Sequence, residues 1–92
     1  MSVSVAMHEI EAIEGLLSPY VYYSYEAERV LAALRELKDA LNKMDKHRIR
    51  QVMEGLSNIE SMAAPYRGYD FVEEALEHSK RLLDELRKIV EV

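Results

Sequence analysis

The apolar residues of this chain recur three and four positions apart in four successive segments, and this spacing constrains the fold more than any other feature. Because an α-helix has 3.6 residues per turn, residues with this spacing share one helix face, whereas a strand would need a period of two. No such alternation is sustained along the chain. The pattern predicts an all-α, antiparallel, up-down-up-down four-helix bundle with helices at about 3–17, 19–44, 46–64 and 71–91.

The boundaries of these helices rest on turn and capping residues. Ser18 followed by Pro19 is typical of an N-cap and a first helical position, since proline has no amide to leave unpaired. Asp45 is the expected cap of the third helix, and Pro65 should end that helix at residue 64 because proline disfavours helical geometry in the residue before it. Gly55 is expected on the inward side of the third helix, where it would permit close packing.

The start of the fourth helix and the short connections complete the predicted topology. Asp70 and Glu73 have the spacing of a capping box. Connections this short cannot cross over the bundle, so neighbouring helices are expected to pack antiparallel. The first and third connections should then lie at the same end of the molecule.

The segment from Tyr20 to Tyr23 allows two interpretations. If it is helical, Tyr20 and Tyr23 extend the apolar face of the second helix into the core, and that helix spans nearly 40 Å against about 22 Å for the first helix. The uncovered part of its apolar face would then serve self-association. If the segment is extended, the second helix begins at Ser24 and the two helices match in length.

Length and composition indicate one small domain that spans residues 1–92. Apolar residues make up 49% of the chain and charged residues 32%, and no uncharged apolar run approaches the roughly 18 residues of a membrane span. The chain has no cysteine and no basic stretch before its apolar N-terminus, so we expect a cytoplasmic protein. The scarcity of Asn and Gln, the absence of Thr and the abundance of charged residues suggest a thermophilic source.

The predicted topology gathers all six tyrosines at one end of the bundle, together with several carboxylates. We call this end the tyrosine pole; its rings are Tyr20, Tyr22, Tyr23, Tyr25, Tyr66, Tyr69 and Phe71. The second connection lies at the opposite end, which we call the basic pole; its residues are Lys43, Lys46, His47, Arg48 and Arg50. The molecule should therefore have opposite charge at its two ends.

The rings of the tyrosine pole have two candidate roles. Tyrosines at bundle ends often bury the ring and keep the hydroxyl in water, so they can simply close the core. Rigid amphipathic rings with a neighbouring arginine also form the centres of protein interfaces. We predict an interaction surface whose anchors are the residues outside the helical faces: Tyr22, Tyr25, Tyr66, Arg67 and Tyr69. Tyr20 and Tyr23 are expected in the core.

The basic pole supports an alternative function, a nucleic-acid-associated small subunit. Lys43, Lys46, Arg48 and Arg50 are the candidate phosphate contacts, since basic side chains at a helix N-terminus suit phosphate. Against this, a chain with a net charge of −5 repels a polyanion at long range. A solvated turn is the simpler interpretation of these residues.

No motif in the sequence predicts an enzyme, and no cofactor or metal is implied. A di-metal carboxylate bundle needs Glu-x-x-His on two helices, and neither His8, His47 nor His78 has a glutamate three positions before it. The three glycines form no phosphate-binding loop. We therefore predict a non-enzymatic protein-protein interaction module, a homo-oligomer or a small subunit of a larger assembly. The expected partner is a second copy, as a homodimer, or another protein, with no membrane and no small-molecule substrate.

Overall fold

The computed structural model describes residues 2–91, which contain α-helices and 3₁₀ turns and no strand. The all-α helical bundle predicted from the sequence is confirmed. Its helices are α1 (Ser2–Leu17), α2 (Tyr25–Asn42), α3 (Lys46–Leu56), α4 (Ile59–Ala63) and α5 (Asp70–Glu91), with 3₁₀ turns at Ser18–Tyr20 and Ala64–Tyr66.

One hydrophobic core runs along the bundle and takes side chains from all five helices. The predicted apolar faces supply it, because residues three and four apart on each helix point to the same side. Each large side chain that is fully buried stabilises the fold by about 1.5 to 3 kcal/mol relative to its exposed state. The largest apolar side chains with almost no exposed surface are Ile10, Ile13, Leu34, Leu37, Leu41, Ile49, Leu82 and Leu86.

Contacts between helix ends show how the bundle is arranged. Arg48 in α3 pairs with Asp39 near the end of α2, and Arg50 donates a hydrogen bond to the carbonyl of Val90 near the end of α5. At the other end, the Tyr20 ring after α1 stacks on Phe71 at the start of α5. These contacts are compatible with the up-down-up-down order, and they place the first and third connections side by side.

The second helix begins later than Pro19. Ser24 is its N-cap, and the Ser24 hydroxyl accepts a hydrogen bond from the Ala27 amide at 3.1 Å. The Ser18 hydroxyl instead donates to the Glu14 carbonyl in the preceding helix, so the predicted cap at Ser18 was wrong. The alternative prediction placed the start of the helix correctly at Ser24, but residues 21–23 form turns and are not extended. With 16 residues in α1 and 18 in α2, the helices match in length and the predicted uncovered stripe disappears.

The second helix also ends two residues before Met44. The Asp45 amide donates to the Ala40 carbonyl and the Met44 amide donates to the Leu41 carbonyl. These two bonds form a Schellman motif, which requires a left-handed residue after the helix. Met44 takes that conformation, with φ of 51°. The connection between α2 and α3 is therefore short and closed by backbone hydrogen bonds.

The third predicted helix is divided in two. Asp45 caps α3 as predicted, since its carboxylate accepts the Arg48 amide at 3.2 Å. The helix then breaks at Ser57 and Asn58, whose side chains favour local hydrogen bonds over helix continuation. Gly55 lies just before this break and is exposed to solvent, so its predicted inward position was wrong. The helical segment α4 ends at Ala63, and Pro65 lies in the following 3₁₀ turn.

The last helix begins at Asp70, close to the predicted start, but without the predicted capping box. The Glu73 carboxylate accepts hydrogen bonds from Arg67 and from the Gly68 amide, both of which precede the helix. Gly68 has a φ of +102°, a conformation that suits glycine because a side chain there is strained. Among residues 2–91, no helix is both long enough and apolar enough to cross a membrane.

Candidate functional site

Three aromatic rings of the tyrosine pole, Tyr20, Tyr69 and Phe71, form a connected cluster. The rings of Tyr20 and Phe71 are stacked, with centroids 3.9 Å apart and an angle of 8° between their planes. The Tyr69 ring lies 6.0 Å from Phe71 in a tilted arrangement. Tyr20 and Phe71 are 51 positions apart in the chain and meet because the first and third predicted connections share one end of the bundle.

Beneath these rings lies an open cavity of about 320 Å³. This is roughly twice the volume of an engineered protein cavity of about 150 Å³ that holds a benzene molecule. Its walls are aliphatic side chains from the ends of α1, α2, α4 and α5 together with five aromatic rings: Tyr20, Tyr23, Tyr66, Tyr69 and Phe71. The cavity can therefore accept an apolar group of more than one ring.

Glu26 is the one charged side chain among the described residues that line the cavity. Its carboxylate accepts hydrogen bonds from the Tyr66 hydroxyl at 3.2 Å and the Ser24 hydroxyl at 3.3 Å. The hydrogen bond from its own backbone amide, with those from Tyr66 and Ser24, lowers the pKa of Glu26 below the usual carboxyl value. The site therefore combines apolar walls with one carboxylate that is ionised at neutral pH and receives only neutral donors.

Two of the predicted anchors, Tyr66 and Tyr69, line the cavity. Tyr69 is 60% exposed, whereas Tyr66 is partly buried and fixed by its hydrogen bond to Glu26. Tyr22 and Tyr25 lie outside the cavity lining and are 93% and 69% exposed. They are available at the same end of the molecule without forming part of its concave surface.

The remaining predicted anchor, Arg67, is exposed but its charge has a partner in the chain. The Arg67 guanidinium donates two hydrogen bonds to the Glu73 carboxylate, at 2.6 Å and 2.9 Å. This geometry lowers the pKa of Glu73 and raises that of Arg67. Similarly, the Arg29 guanidinium lies over the Tyr25 ring, 5.7 Å from its centroid. Both cations near this pole are therefore engaged within the chain.

Sequence reasoning misplaced Tyr20 and Tyr23, which were expected in the core. Tyr20 is 38% exposed and Tyr23 is 86% exposed. Tyr20 lies in a 3₁₀ turn and Tyr23 in an irregular turn after α1. Because neither residue is in an α-helix, their spacing of three does not put them on one helix face. Both residues instead line the cavity, and they were left out of the predicted site because they were expected in the core.

At the basic pole, the candidate phosphate contacts Lys43, Arg48 and Arg50 have partners within the chain. Arg48 pairs with Asp39 at 2.8 Å, and Lys43 pairs with the same carboxylate at 3.2 Å. Hydrogen bonds from Arg48 and then Lys43 lower the pKa of Asp39. Arg50 donates to the Val90 carbonyl at 3.0 Å, and Lys46 is partly buried at the start of α3. Binding of phosphate by these residues stays a prediction.

A polar cluster between α1 and α5 was not recognised in the sequence. Glu9 is only 7% exposed, and its carboxylate contacts His78 Nδ1 at 2.6 Å and Arg81 Nε at 3.1 Å. Burial raises the pKa of Glu9, but the hydrogen bonds and charges of His78 and Arg81 outweigh it, so the pKa lies below its usual value. Glu9 is adjacent to the apolar residue Ile10, but only the fold shows that its partners lie 69 and 72 positions away. This cluster joins two helices.

The described part of the chain contains no group of three or more His, Asp and Glu side chains arranged to hold a metal ion. No family model, no curated protein and no solved structure matches this chain. The geometry of the tyrosine pole is therefore the basis for an inference about function.

Proposed function

We propose that the protein is a non-enzymatic protein-protein interaction module that binds its partner through the tyrosine pole. It would act as a homo-oligomer or as a small subunit of a larger assembly. In this proposal, the exposed rings Tyr22, Tyr25 and Tyr69 contact the partner surface, while the cavity receives an apolar side chain of the partner. The observation that carries the proposal is an open, aromatic-walled cavity surrounded by exposed tyrosines.

The exposure of these rings supports a role in binding over a role in folding. Closing the core would require the rings to be covered, yet Tyr22 and Tyr23 bury almost none of their surface. Exposed aromatic side chains are costly in solubility, and large exposed apolar patches on soluble proteins commonly mark interaction sites. Tyrosine is also enriched among residues that dominate binding energy at interfaces.

The chemistry of the cavity supports binding without catalysis. General acid-base catalysis is most efficient when the pKa of the catalytic group lies near the working pH. Glu26 is the titratable carboxylate in the lining, and its pKa is lowered, away from neutrality. The other polar groups in the lining are tyrosine hydroxyls and the Ser24 hydroxyl, which caps α2. The Ser24 hydroxyl donates to Glu26, but its oxygen also accepts the Ala27 amide as the cap of α2, and a carboxylate of lowered pKa is a weak base for a hydroxyl.

The proposal is tested with the double variant Tyr22→Ser/Tyr69→Ser and the control Val5→Ser. Val5 is an apolar residue of α1 that is 43% exposed, so its replacement also removes exposed apolar surface. Proteins retained from a lysate of the natural source are purified, and their Kd values for wild type and both variants are measured. We expect the double variant to weaken binding by about tenfold or more, because tyrosine is enriched among the few interface residues whose truncation costs more than about 1 kcal/mol. The control should bind as wild type does.

Self-association is measured in parallel by sedimentation across a hundredfold range of protein concentration. A homo-oligomer that dissociates in the double variant and persists in Val5→Ser supports the proposal with a second copy as partner. The proposal is overturned if wild type stays monomeric and every retained protein binds the double variant as tightly as wild type.

A further inference from the structure

The carboxylates of the tyrosine pole outnumber the cations that are free to neutralise them. The first turn of α2 contains Glu26 and Glu28, and α5 begins with Asp70 and has Glu74 just after its first turn. No Lys, Arg or His among residues 2–91 lies within 4 Å of any of these four carboxylates. The nearby Arg67 is held by Glu73. Of these carboxylates Glu26 lines the cavity, so among residues 2–91 the cavity has a negative charge with no cation in direct contact.

The cavity is suited to a group that is apolar along its length and cationic at its end. Its walls are apolar and aromatic, and its one charged lining residue, Glu26, receives hydrogen bonds from neutral hydroxyls. Aromatic faces attract a cation through their quadrupole, and a carboxylate adds a direct ion pair. A neutral apolar occupant would remove water from Glu26 without supplying a partner charge, and an anion would be repelled.

The amide groups at the N-termini of α2 and α5 do not reverse this preference. A helix N-terminus carries partial positive charge and attracts anions. Here the first turns already contain acidic side chains, which satisfy that preference within the chain. In addition, the Glu26 carboxylate accepts its own backbone amide, which removes one donor from the reach of an anionic ligand.

We propose that the cavity receives a basic segment of a partner protein, in which an apolar side chain fills the aromatic walls and a neighbouring Lys or Arg pairs with Glu26. This inference rests on the proposed function, and it specifies the partner of that site. A volume twice that of a benzene-binding cavity suits two adjacent side chains better than one. Lys and Arg also bring aliphatic stems that can lie along apolar walls while the charged end reaches a carboxylate.

The charge of the pole also indicates which protein is bound. Two copies that met through their tyrosine poles would oppose the same carboxylates across one interface, and like charges at an interface are strongly unfavourable. This favours a different protein with a basic contact segment as the partner, and a homodimer that dissociates in Tyr22→Ser/Tyr69→Ser in the sedimentation experiment above would overturn that choice.

The preference is tested with three capped dipeptides that share an apolar residue and differ in charge: acetyl-Phe-Lys-amide, acetyl-Phe-Gln-amide and acetyl-Phe-Glu-amide. Each is titrated into the intact protein at low salt, and the NMR signals of the Tyr66, Tyr69 and Phe71 rings are followed. We expect the Lys peptide to bind about tenfold more tightly than the Gln peptide, as a cation near aromatic rings and a carboxylate should. The Glu peptide should bind most weakly.

Two substitutions with the same change in net charge locate the effect. In Glu26→Gln the Lys peptide should lose its advantage and bind as the Gln peptide does, whereas Glu91→Gln, at the far end of α5, should leave the advantage unchanged. Ala63→Leu, which places a larger side chain in the lining, should weaken all three peptides. Circular dichroism of each variant checks that the helices are retained.

The inference is overturned if the Gln peptide binds wild type as tightly as the Lys peptide, or if Glu91→Gln and Glu26→Gln reduce binding equally. It is also overturned if Ala63→Leu has no effect on binding, since the peptides would then bind elsewhere. These results leave the proposed function standing, because that proposal is tested separately through Tyr22 and Tyr69. If Tyr22→Ser/Tyr69→Ser instead left partner binding unchanged while the protein still preferred the Lys peptide, only the proposed contact surface would be refuted.

Discussion

The two ends of this bundle differ in how the residues singled out in the sequence are paired inside the chain. At the basic pole, Lys43 and Arg48 share Asp39, and Arg50 donates to the Val90 carbonyl. At the tyrosine pole, exposed rings surround a cavity of about 320 Å³, and the Glu26 carboxylate accepts hydrogen bonds from neutral hydroxyls, with no cation of residues 2–91 paired to it. Both ends are conspicuous in the sequence, but Lys43, Arg48 and Arg50 are bonded within the chain, whereas the rings of the tyrosine pole lie around an open cavity.

The connections explain this difference. Lys43, Met44 and Asp45 join α2 to α3, and the Schellman motif folds these residues back against the end of α2, where Asp39 lies. The connections at the tyrosine pole are longer and include two 3₁₀ turns with prolines. The aromatic rings in these connections lie on turns, where side chains have no regular helical spacing. Some of the rings therefore line the cavity, and others are exposed to water.

The largest expected effect is a difference in stability between substitutions at the basic pole and at the tyrosine pole. Ile49 at the start of α3 has no exposed surface, and its replacement in Ile49→Ala should lower the free energy of unfolding by about 3 kcal/mol. Tyr23 is 86% exposed, so Tyr23→Ala should lower the free energy of unfolding by less than about 0.5 kcal/mol. Urea denaturation followed by circular dichroism measures both. Equal losses in the two variants would show that the tyrosine pole is packed as tightly as the basic pole.

A smaller effect concerns Glu9, a carboxylate that has cationic partners, in contrast to Glu26. Glu9→Gln should lower the free energy of unfolding by about 1 to 2 kcal/mol at pH 7, because it removes the charge of a buried carboxylate from its two partners. The loss is moderate because Arg81 and His78 are partly screened by water. Its folded pKa lies below the unfolded value, so this stabilisation is complete above the unfolded pKa and is lost as the pH falls through the folded pKa.

The measurement for Glu9 is the free energy of unfolding of wild type and Glu9→Gln between pH 7 and pH 3. Wild type should lose more stability than the variant on acidification, so that the two curves converge at low pH. A difference between the curves that stays constant over this range would contradict the lowered pKa of Glu9.

The smallest effects concern the turns that shape the two ends. Met44 is left-handed and 49% exposed, so Met44→Gly should raise the free energy of unfolding by about 0.5 to 1 kcal/mol by relieving backbone strain. Gly68 at the tyrosine pole also has positive φ, and Gly68→Ala should lower stability by about 1 kcal/mol for the same reason. Thermal denaturation of both variants measures the shifts. A destabilised Met44→Gly would mean that the Met44 side chain contributes packing that outweighs the strain.

Much of the fold was predictable from local pattern. The spacing of the apolar residues identified the helical faces, including the buried positions Ile13, Leu34 and Leu86, because helical periodicity alone decides which side chains share a face. Asp45 was recognised as a cap because its interaction spans only three residues. The break at Ser57 and Asn58 and the late start at Ser24 were missed or left open, since local signals there compete with one another.

The candidate site was only partly predictable. Short connections in a bundle imply that the first and third lie together, so the gathering of the tyrosines followed from topology. The positions of Tyr20 and Tyr23 did not follow, because a spacing of three indicates a shared face only inside a helix. The cavity and the neutral environment of Glu26 depend on side chains from separate helices, which no spacing along the chain records.

By itself, the sequence determined that this protein folds as helices with one apolar face each, because the period of the apolar residues is a property of neighbours within a few turns. Only the tertiary structure decided which charges and rings are available to a partner. Availability depends on what lies beside a side chain in space, and the bundle pairs Arg48 with Asp39 while it leaves Glu26 beside an open cavity.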